Sequence, residues 1–384
     1  MDATSPPSGY RLEIRFVGSG SEYFRIWIVN LLLTLVTLGL YYPFAKVRRL
    51  RYFHAATEVG GHALSFHGDP WKMLRGYLLV GLLLAAYSGA WRLSPLAGLV
   101  ALLILAALWP ALWHVSLRFR LANTGWRGLR FAFDGSRGGA YRAMLPGGLF
   151  ALAYVAIATL AMPAAQGQRT AGPAVTVLAL LPLAMLLVLP ALLWWTKRYQ
   201  HNHYRIAGEH SRFTVPLTAA YGLALRTFGM ALLFGTLVGV VMVAVVSSMQ
   251  AAFGRGEAPS GPPWPVVVPA LLVMLLVQAT LGAFIQARMQ NLVWNGTRSE
   301  HLAFDSRLSF RRLALLTARN WLLVIITLGL YFPFARIATA RLRLQSLAVV
   351  SALEPGLLAQ EPGARIDDAS GDAAADLLGI DLGL

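Results

Sequence analysis

Three histidines, His201, His203 and His210, fall within ten residues, with Glu209 beside them. A metal needs such side chains converging on one surface. An H-x-H spacing does not put two imidazoles on one helix face, and Lys197, Arg198, Arg205 and Arg212 crowd the same stretch. A solvated basic loop is the better reading, and no metal or cofactor is expected. Gly18-Ser19-Gly20 and the segment from Gly135 to Gly139 are glycine-rich. They lack the Lys-Ser/Thr pair that completes a phosphate loop. Serines near histidines show no nucleophile-elbow pattern. The absence of Cys excludes disulfides, thiolate metal sites, iron–sulfur clusters and cysteine nucleophiles. The chain is expected not to be an enzyme.

A different set of polar residues lies inside apolar sequence. Asn30, Thr34 and Thr37 share one helix face, followed by Tyr41, and Asn320, Thr327 and Tyr331 occupy matching places near the other end. Asn in a bilayer is costly unless paired. Asn30, Thr37, Tyr41, Asn320, Thr327 and Tyr331 are therefore candidates to line a substrate path, or else interhelical glue. No Asp or Glu interrupts an apolar run, and His114 is the one histidine inside any of them. A proton-driven relay usually needs such a group, which weakens that mechanism and leaves facilitated transport or lipid handling.

The elements that carry these residues are long and greasy. Hydrophobic residues make up 57% of the 384-residue chain and charged ones 13%, about half the ~25% of soluble domains. Eight uncharged runs stand out: Ile26–Ala45, Gly76–Trp91, Leu93–Leu117, Ala143–Gln168, Thr170–Thr196, Thr227–Gly254, Ala258–Ala287 and Asn320–Ala335. A spanning helix needs about 17–25 apolar residues. The expected fold class is an all-α polytopic membrane protein. It has six to eight hydrophobic membrane segments in hairpins, and short cytoplasmic β-hairpins.

Bases alternate sharply between the connections. Four loops carry clusters, such as Lys46, Arg48, Arg49 and Arg51, whereas Arg92, Arg169 and Arg255 stand alone in the other three. The positive-inside rule makes the rich loops cytoplasmic. Two of the outer tips, Ala161–Pro173 and Ala251–Pro265, are rich in turn residues. Bases beside apolar runs suit the bilayer and its anionic lipid headgroups better than nucleic acid, which is not an expected partner. Lys46, Arg48, Arg49, Arg51, Arg336, Arg341 and Arg343 are the headgroup candidates. The polar first twenty residues do not read as a cleaved signal. Residues 354–384 hold seven acids and one base and read as an acidic disordered tail behind a membrane domain spanning 1–353.

That domain carries an internal repeat at its ends. NLLLTLVTLGLYYPFAK (30–46) and NWLLVIITLGLYFPFAR (320–336) match at eleven of seventeen positions. Both are followed by bases, yet six spanning runs between them would point full crossings in opposite directions. Two arrangements remain: eight full helices with one basic flank outside, or two copies that dip and return, bent near Gly39–Pro43 and Gly329–Pro333. The basic loops add a period-two pattern: Leu12–Phe16, His62–Phe66, Leu129–Phe133 and Leu302–Phe304 alternate as strands do. Asp or Ser follows each, as a helix cap would. Upstream, Arg51–Ala55, Arg118–Leu121 and Leu292–Trp294 are candidate partner strands, with turns at Thr57–Gly61, Asn123–Gly125 and Asn295-Gly296. The hairpins are expected to pair into one small sheet or to lie on lipid.

At Ser21–Phe53 (SEYFRIWIVNLLLTLVTLGLYYPFAKVRRLRYF) the chain resembles the YjgN-like family of bacterial inner-membrane proteins, classed as a domain of unknown function (898). SFHGDPWKMLRG, NTGWRGLRFAFDGS, HSRF and the second LGLYFPFA fit the same pattern, over about residues 10–350. HNHYRIAGE departs from it. The resemblance implies a multi-pass protein of the bacterial inner membrane and supplies no activity. The function expected is a transporter or channel-like protein; the alternative is a membrane-organising scaffold that binds anionic lipid or a partner through its basic cytoplasmic face.

Overall fold

The computed structural model describes residues 9–165, 173–206, 208–253 and 264–354. The acidic tail from 355 onward and most of the two expected tips lie outside them. Five times over, the chain lays down a strand, a pair of helices and a strand. The first unit is β1 (Tyr10–Phe16), α1 (Gly20–Val36), α2 (Tyr42–Ala55) and β2 (Thr57–Val59). The second is β3 (His62–Phe66), α3 (Pro70–Leu93), α4 (Pro95–Ala122) and β4 (Thr124–Trp126). The third is β5 (Leu129–Phe133), α5 (Arg137–Ala165), α6 (Pro173–His201) and β6 (Tyr204–Ile206). The fourth opens with β7 (Glu209–His210) and β8 (Arg212–Phe213), followed by α7 (Leu217–Phe253) and α8 (Trp264–Val277). A π-helical turn, Gln278–Gly282, then leads to α9 (Ala283–Asn295) and β9 (Thr297–Arg298). The fifth is β10 (Leu302–Ser306), α10 (Phe310–Ile326), α11 (Phe332–Gln345) and β11 (Leu347–Ser351).

The all-α expectation fails here. The strands join into one antiparallel sheet of eleven, ordered β7-β6-β5-β4-β3-β2-β1-β11-β10-β9-β8. Its two end strands, β7 and β8, are separated only by Ser211, so the sheet closes on itself as a near-barrel. Ser211 fills the break: its N–H donates to Tyr204 O (2.9 Å), and its Oγ accepts from Tyr204 N (3.0 Å). β1 belongs to both flanks, pairing through Tyr10–Glu13 with β11 and through Ile14–Phe16 with β2.

Alternation sorts the barrel walls. Leu12, Val59, Leu64, Trp126, Leu129, Phe131, Ile206, Leu302 and Leu353 come from all around the ring and pack into one cluster, which only an inward-facing set can do. Arg11, Arg15 and Arg212 take the outer face and are exposed. A wet outside and greasy inside put the barrel in water rather than lipid.

The strands begin later than the sequence pattern suggested. Arg51–Ala55, Arg118–Leu121 and Leu292–Trp294 are the last turns of α2, α4 and α9. Each helix runs on until a threonine opens the next strand and donates its hydroxyl to the carbonyl four residues back: Thr57 to Phe53, Thr124 to Arg120, Thr297 to Val293. Two of the tight turns sit at Gly60-Gly61 and Arg127-Gly128, all four residues at positive φ, as a primed hairpin turn requires.

Strand also meets helix by a recurring device. In Phe16-Val17-Gly18, Phe66-His67-Gly68 and Phe133-Asp134-Gly135 the phenyl ring folds over the glycine, where a Cβ would collide with it. Asp69 and Ser136 then accept from Trp71 N and Gly139 N as helix caps. Ser19 and Ser309 stand at the cap position without that bond, and Asp305 instead pairs with Arg11 and Arg307.

The helices stand in a ring on the barrel. Among the described residues the substantial helix contacts join chain neighbours, and α11 closes on α1, so the wall is one helix thick. Five helices are long and apolar enough to cross a bilayer among the described residues: Pro70–Leu93, Pro95–Ala122, Arg137–Ala158, Ala179–His201 and Leu217–Ala244. The expected six to eight membrane segments are therefore not confirmed. The two repeat copies do not run straight through. α1 rises about 25 Å over its 17 residues, less than the ~30 Å hydrocarbon core. The chain then turns at 37–41 and returns as α2, and α10 and α11 do the same at 327–331. Both copies leave the sheet and come back to it, so the conflict over their direction dissolves.

One ion pair ties the seam. Glu209 on β7 accepts from the His301 ring (2.6 Å) and backbone N–H (3.2 Å) across to the β9–β10 loop. Its partner raises the His301 pKa above the ordinary value. Burial would raise Glu209, but hydrogen bonds from Ser299 and His301 outweigh it and hold the carboxyl below the usual range. The raised histidine contributes fully below its unfolded value, about 6.5, and loses that contribution as pH rises through its folded pKa. The depressed carboxyl contributes above about 4.5 and loses it as pH falls through its folded pKa. Melting temperature in detergent should therefore peak between about pH 4.5 and 6.5, and His301→Gln should flatten that peak; an unchanged profile would deny the latch any role. Gly68→Ala should lower stability by about 1–3 kcal/mol, as overpacking does. The control Gly81→Ala, whose Cβ meets nothing, should not destabilise in the same melt.

Candidate functional site

The polar residues of the two repeats turn out to fasten their own hairpins. Thr37 Oγ1 donates to Leu33 O (2.7 Å) and accepts from Tyr41 N (3.0 Å). Thr327 repeats this with Leu323 and Tyr331 at 2.6 and 2.9 Å. Tyr41 stacks on Phe44, and Tyr331 on Phe334. Between them Leu38 and Leu328 take positive φ and are 95% and 94% exposed. A bare leucine at a turn tip is costly in water and favoured in hydrocarbon. Asn30 and Asn320 are buried lower down. Asn320 Nδ2 donates to Ala335 O and Thr339 Oγ1, both at 3.3 Å, and Asn30 Nδ2 reaches Ala45 O at 3.5 Å. The Oδ1 atom of each is buried without a hydrogen-bond partner.

The seven basic candidates separate into three kinds. Arg51 Nη2 donates to Gly68 O (3.0 Å), and Arg341 Nη2 to Gly18 O (2.8 Å). Each clasps the entry turn of the next unit, a task Asn291 performs on Leu308. Arg48 and Arg336 are exposed, the latter over the Phe332 ring. Arg49 and Arg336 both act electrostatically on Tyr23. Lys46 is buried, and Arg343 turns toward α9, donating from Nε to Gln290 Oε1 (2.9 Å).

Arg343 is one part of an inner polar layer. Gln290 Nε2 donates to Arg343 O and lies 3.2 Å from Ser346 Oγ. Lys197 of α6 feels the charges of both Arg120 of α4 and Arg343 of α11. These helices belong to the third, second and fifth units. The fifth is not a neighbour of the other two in the ring. Tyr204 joins them: its hydroxyl bonds with Gln200 and feels Arg120. Burial pushes the Tyr204 phenol well above its ordinary value, so it remains a protonated donor. Tyr204 and Ile206 share one face of β6, and Ile206 belongs to the apolar cluster that fills the barrel. Tyr204 therefore stands next to that apolar cluster on the same strand face.

The histidines have separate tasks. His201 bonds with Thr297 Oγ1, His203 donates to Tyr199 O, and His210 faces Asp134 at 3.4 Å. His114 is buried, linked through Tyr199 to Ser136 O. No group of three His, Cys, Asp or Glu side chains placed for a metal occurs among the described residues. Arg120, Lys197, Gln200 and Gln290 escaped the sequence reading because they sit near the ends of three helices with no shared motif. The signal was positional: Arg120, Gln200 and Arg343 each stand four residues before the strand that follows their helix, while Lys197 and Gln290 stand seven before theirs.

A family described as "Bacterial protein of unknown function (DUF898)" matches residues 11–377. Curated proteins named "Inner membrane protein YjgN" are similar over a shorter stretch. That of Escherichia coli O157:H7 is 34% identical over 127 residues, covering 33% of this chain and 32% of its own. That of Escherichia coli strain K12 is 34% identical over 125 residues, covering 32% and 31%. That of Salmonella typhimurium is 28% identical over 145 residues, covering 37% of each. The matched stretch spans about a third of the length of these relatives. No solved structure matches the chain significantly. The apolar helices and the span of the family match together make this chain a bacterial inner-membrane protein that belongs to the DUF898 family.

Proposed function

We propose that the protein is a membrane carrier for an amphiphile that enters its lumen from the bilayer, neither an aqueous channel nor an enzyme. The observation that carries this reading is the apolar stopper, in which Trp126 and Leu129 are buried among side chains from all around the barrel. Water and ions do not cross a packed apolar constriction readily, so a conducting pore through the barrel is disfavoured. A ligand then has the membrane side left to enter from. The wall there is one helix thick, and it is lowest where the short first and fifth hairpins stand side by side. Asn30 and Asn320, each with a buried unbonded Oδ1, lie on those two hairpins and offer acceptors to a passing polar group.

The second reading is a scaffold on anionic lipid, and the exposed Arg48, Arg336 and outer-strand Arg11, Arg15 and Arg212 favour it. Transbilayer movement of a fluorescent phosphatidylglycerol, measured beside potassium flux in reconstituted vesicles, separates the two. The carrier should speed lipid exchange severalfold over empty vesicles and leave ion flux unchanged. Ion flux without lipid movement would reverse the reading. Binding to anionic vesicles with neither activity would favour the scaffold.

A further inference from the structure

Strand register sets a row of basic residues on the outer wall of the barrel. Arg212 of β8 stands directly opposite Arg298 of β9, and Arg298 opposite Ala303 of β10. Ala303 stands opposite Val350 of β11, and Val350 opposite Arg11 of β1. Residues paired in this way share one face of a sheet, and Arg11 and Arg212 are exposed on it. Beyond the seam Arg205 of β6 stands opposite His210 of β7. His210 alternates with Arg212 about Ser211, which keeps it on the same face. Acids meet this row at its two ends: Asp134 lies 3.3 Å from Arg205 and 3.4 Å from His210, and Asp305 lies 2.8 Å from Arg11. Between those ends the register sets two arginines directly across from each other, an arrangement that destabilises an antiparallel pair. A guanidinium carries several donors, so bonds that these side chains already make leave room for further carboxylates.

We propose that this row is the docking surface for the chain's own acidic segment, residues 355–384. That segment holds six acids (Glu361, Asp367, Asp368, Asp372, Asp376 and Asp381) against one base, Arg365. The place where it leaves the barrel is fixed. Leu353 packs with Trp126 and Leu129 in the barrel cluster. Ser351 Oγ donates to Leu353 O (2.6 Å), and Ala352 N–H donates to His301 O (2.8 Å). Reach is ample. β11 and β8 are three places apart in the sheet, about 14 Å at ordinary strand spacing. Glu361 lies seven residues past Glu354, and an extended chain of that length spans up to about 24 Å. Depth favours this occupant over lipid headgroups. Val350 lies five residues past Gln345, the end of α11, about 16 Å along a strand, so the row stands in water away from the helix ends. Carboxylates laid along it turn the Arg212–Arg298 repulsion into attraction and shield the wall from other polyanions. None of this depends on the carrier reading.

The test uses the purified full chain in neutral detergent. The chain holds no Cys, so a nitroxide attached through Ser370→Cys reports on the segment alone. At low salt its spectrum should carry an immobilised component. Raising salt from about 0.1 M to about 1 M shortens the Debye length from about 10 Å to about 3 Å and should shrink that component severalfold. Arg212→Glu should shrink it as far without added salt. Asp367→Asn combined with Asp368→Asn should do the same; that pair leaves the barrel untouched and still reports if Arg212→Glu fails to fold. Arg92→Gln, an exposed base in the last turn of α3, should change nothing. A fully mobile label at low salt would overturn the proposal. So would an immobilised label that either set of substitutions leaves in place in a folded barrel. Immobilisation that appears only on reconstitution into lipid vesicles would assign the segment to the membrane instead, and would also overturn it. Absence of lipid movement in the vesicle assay would sink the carrier reading and leave the docking standing.

Discussion

Closure of the ring is the constraint on which everything else depends. Strands of two to five residues are too short to hold together alone, and most of the strands here are of that length. They persist because every strand but β7 and β8, which end the near-closed ring, is paired on both sides. β1 finds β11 across the termini, the stretch 209–213 finds β6 on one half and β9 on the other, and α11 returns to α1. Arg341 repeats the closure in side-chain terms by binding Gly18 O from the far end of the chain. An open edge at a membrane surface would expose unpaired backbone next to lipid, where such groups are most costly. The helices have no other means of standing in order. Their wall is one layer thick, so each helix position is inherited from the strand beneath it.

Much of this was legible in the sequence, but not the unit that organises it. Apolar runs marked the long helices, and the basic loops between them hold the strands. The alternating stretches at Leu12–Phe16, His62–Phe66 and Leu129–Phe133 were true strands, each the first of its unit. The second strand of the first, second and fourth units was misplaced because its helix keeps a helical pattern to its last residue, and a threonine hydroxyl bonded backward conceals the boundary. The end repeat was found because eleven of its seventeen positions are identical, as a sharp tip held by Thr37 and Thr327 tolerates little change. The first three units share only a Phe-x-Gly step followed by Ser or Asp, and the fourth has Phe213-Thr214-Val215-Pro216 there, too little to announce fivefold order. The reach of Arg120 and Arg343 to Lys197 was invisible for a further reason: the three stand in separate units that no local spacing relates.

The ring departs from fivefold regularity in ways that point to use. Hairpins of the second and third units carry helices of 24 to 29 residues, whereas the first and fifth use 17 and 14. A purely structural ring would gain from five equal walls. Instead the two short members are neighbours, joined through α1 and α11 and through β1 and β11. Their tips are locked by Thr37 and Thr327 and by leucines at positive φ, so the low wall is built, not frayed. Places where a repeat protein breaks its own rule are where selection has accepted a structural cost for something else.

The chemical asymmetry runs the other way. Tips and outer faces are apolar, the barrel interior is apolar, and between them the lumen gathers basic and amide side chains from the second, third, fourth and fifth units. A bilayer-spanning chain that needed only to be stable would place its bases on the outside of the ring, where headgroups and water receive them without mutual repulsion. Arg48 and Arg336 are such bases. Lys197 instead feels the charges of Arg120 and Arg343 from two other units of the ring, a repulsion that bases spread over the outer face would avoid.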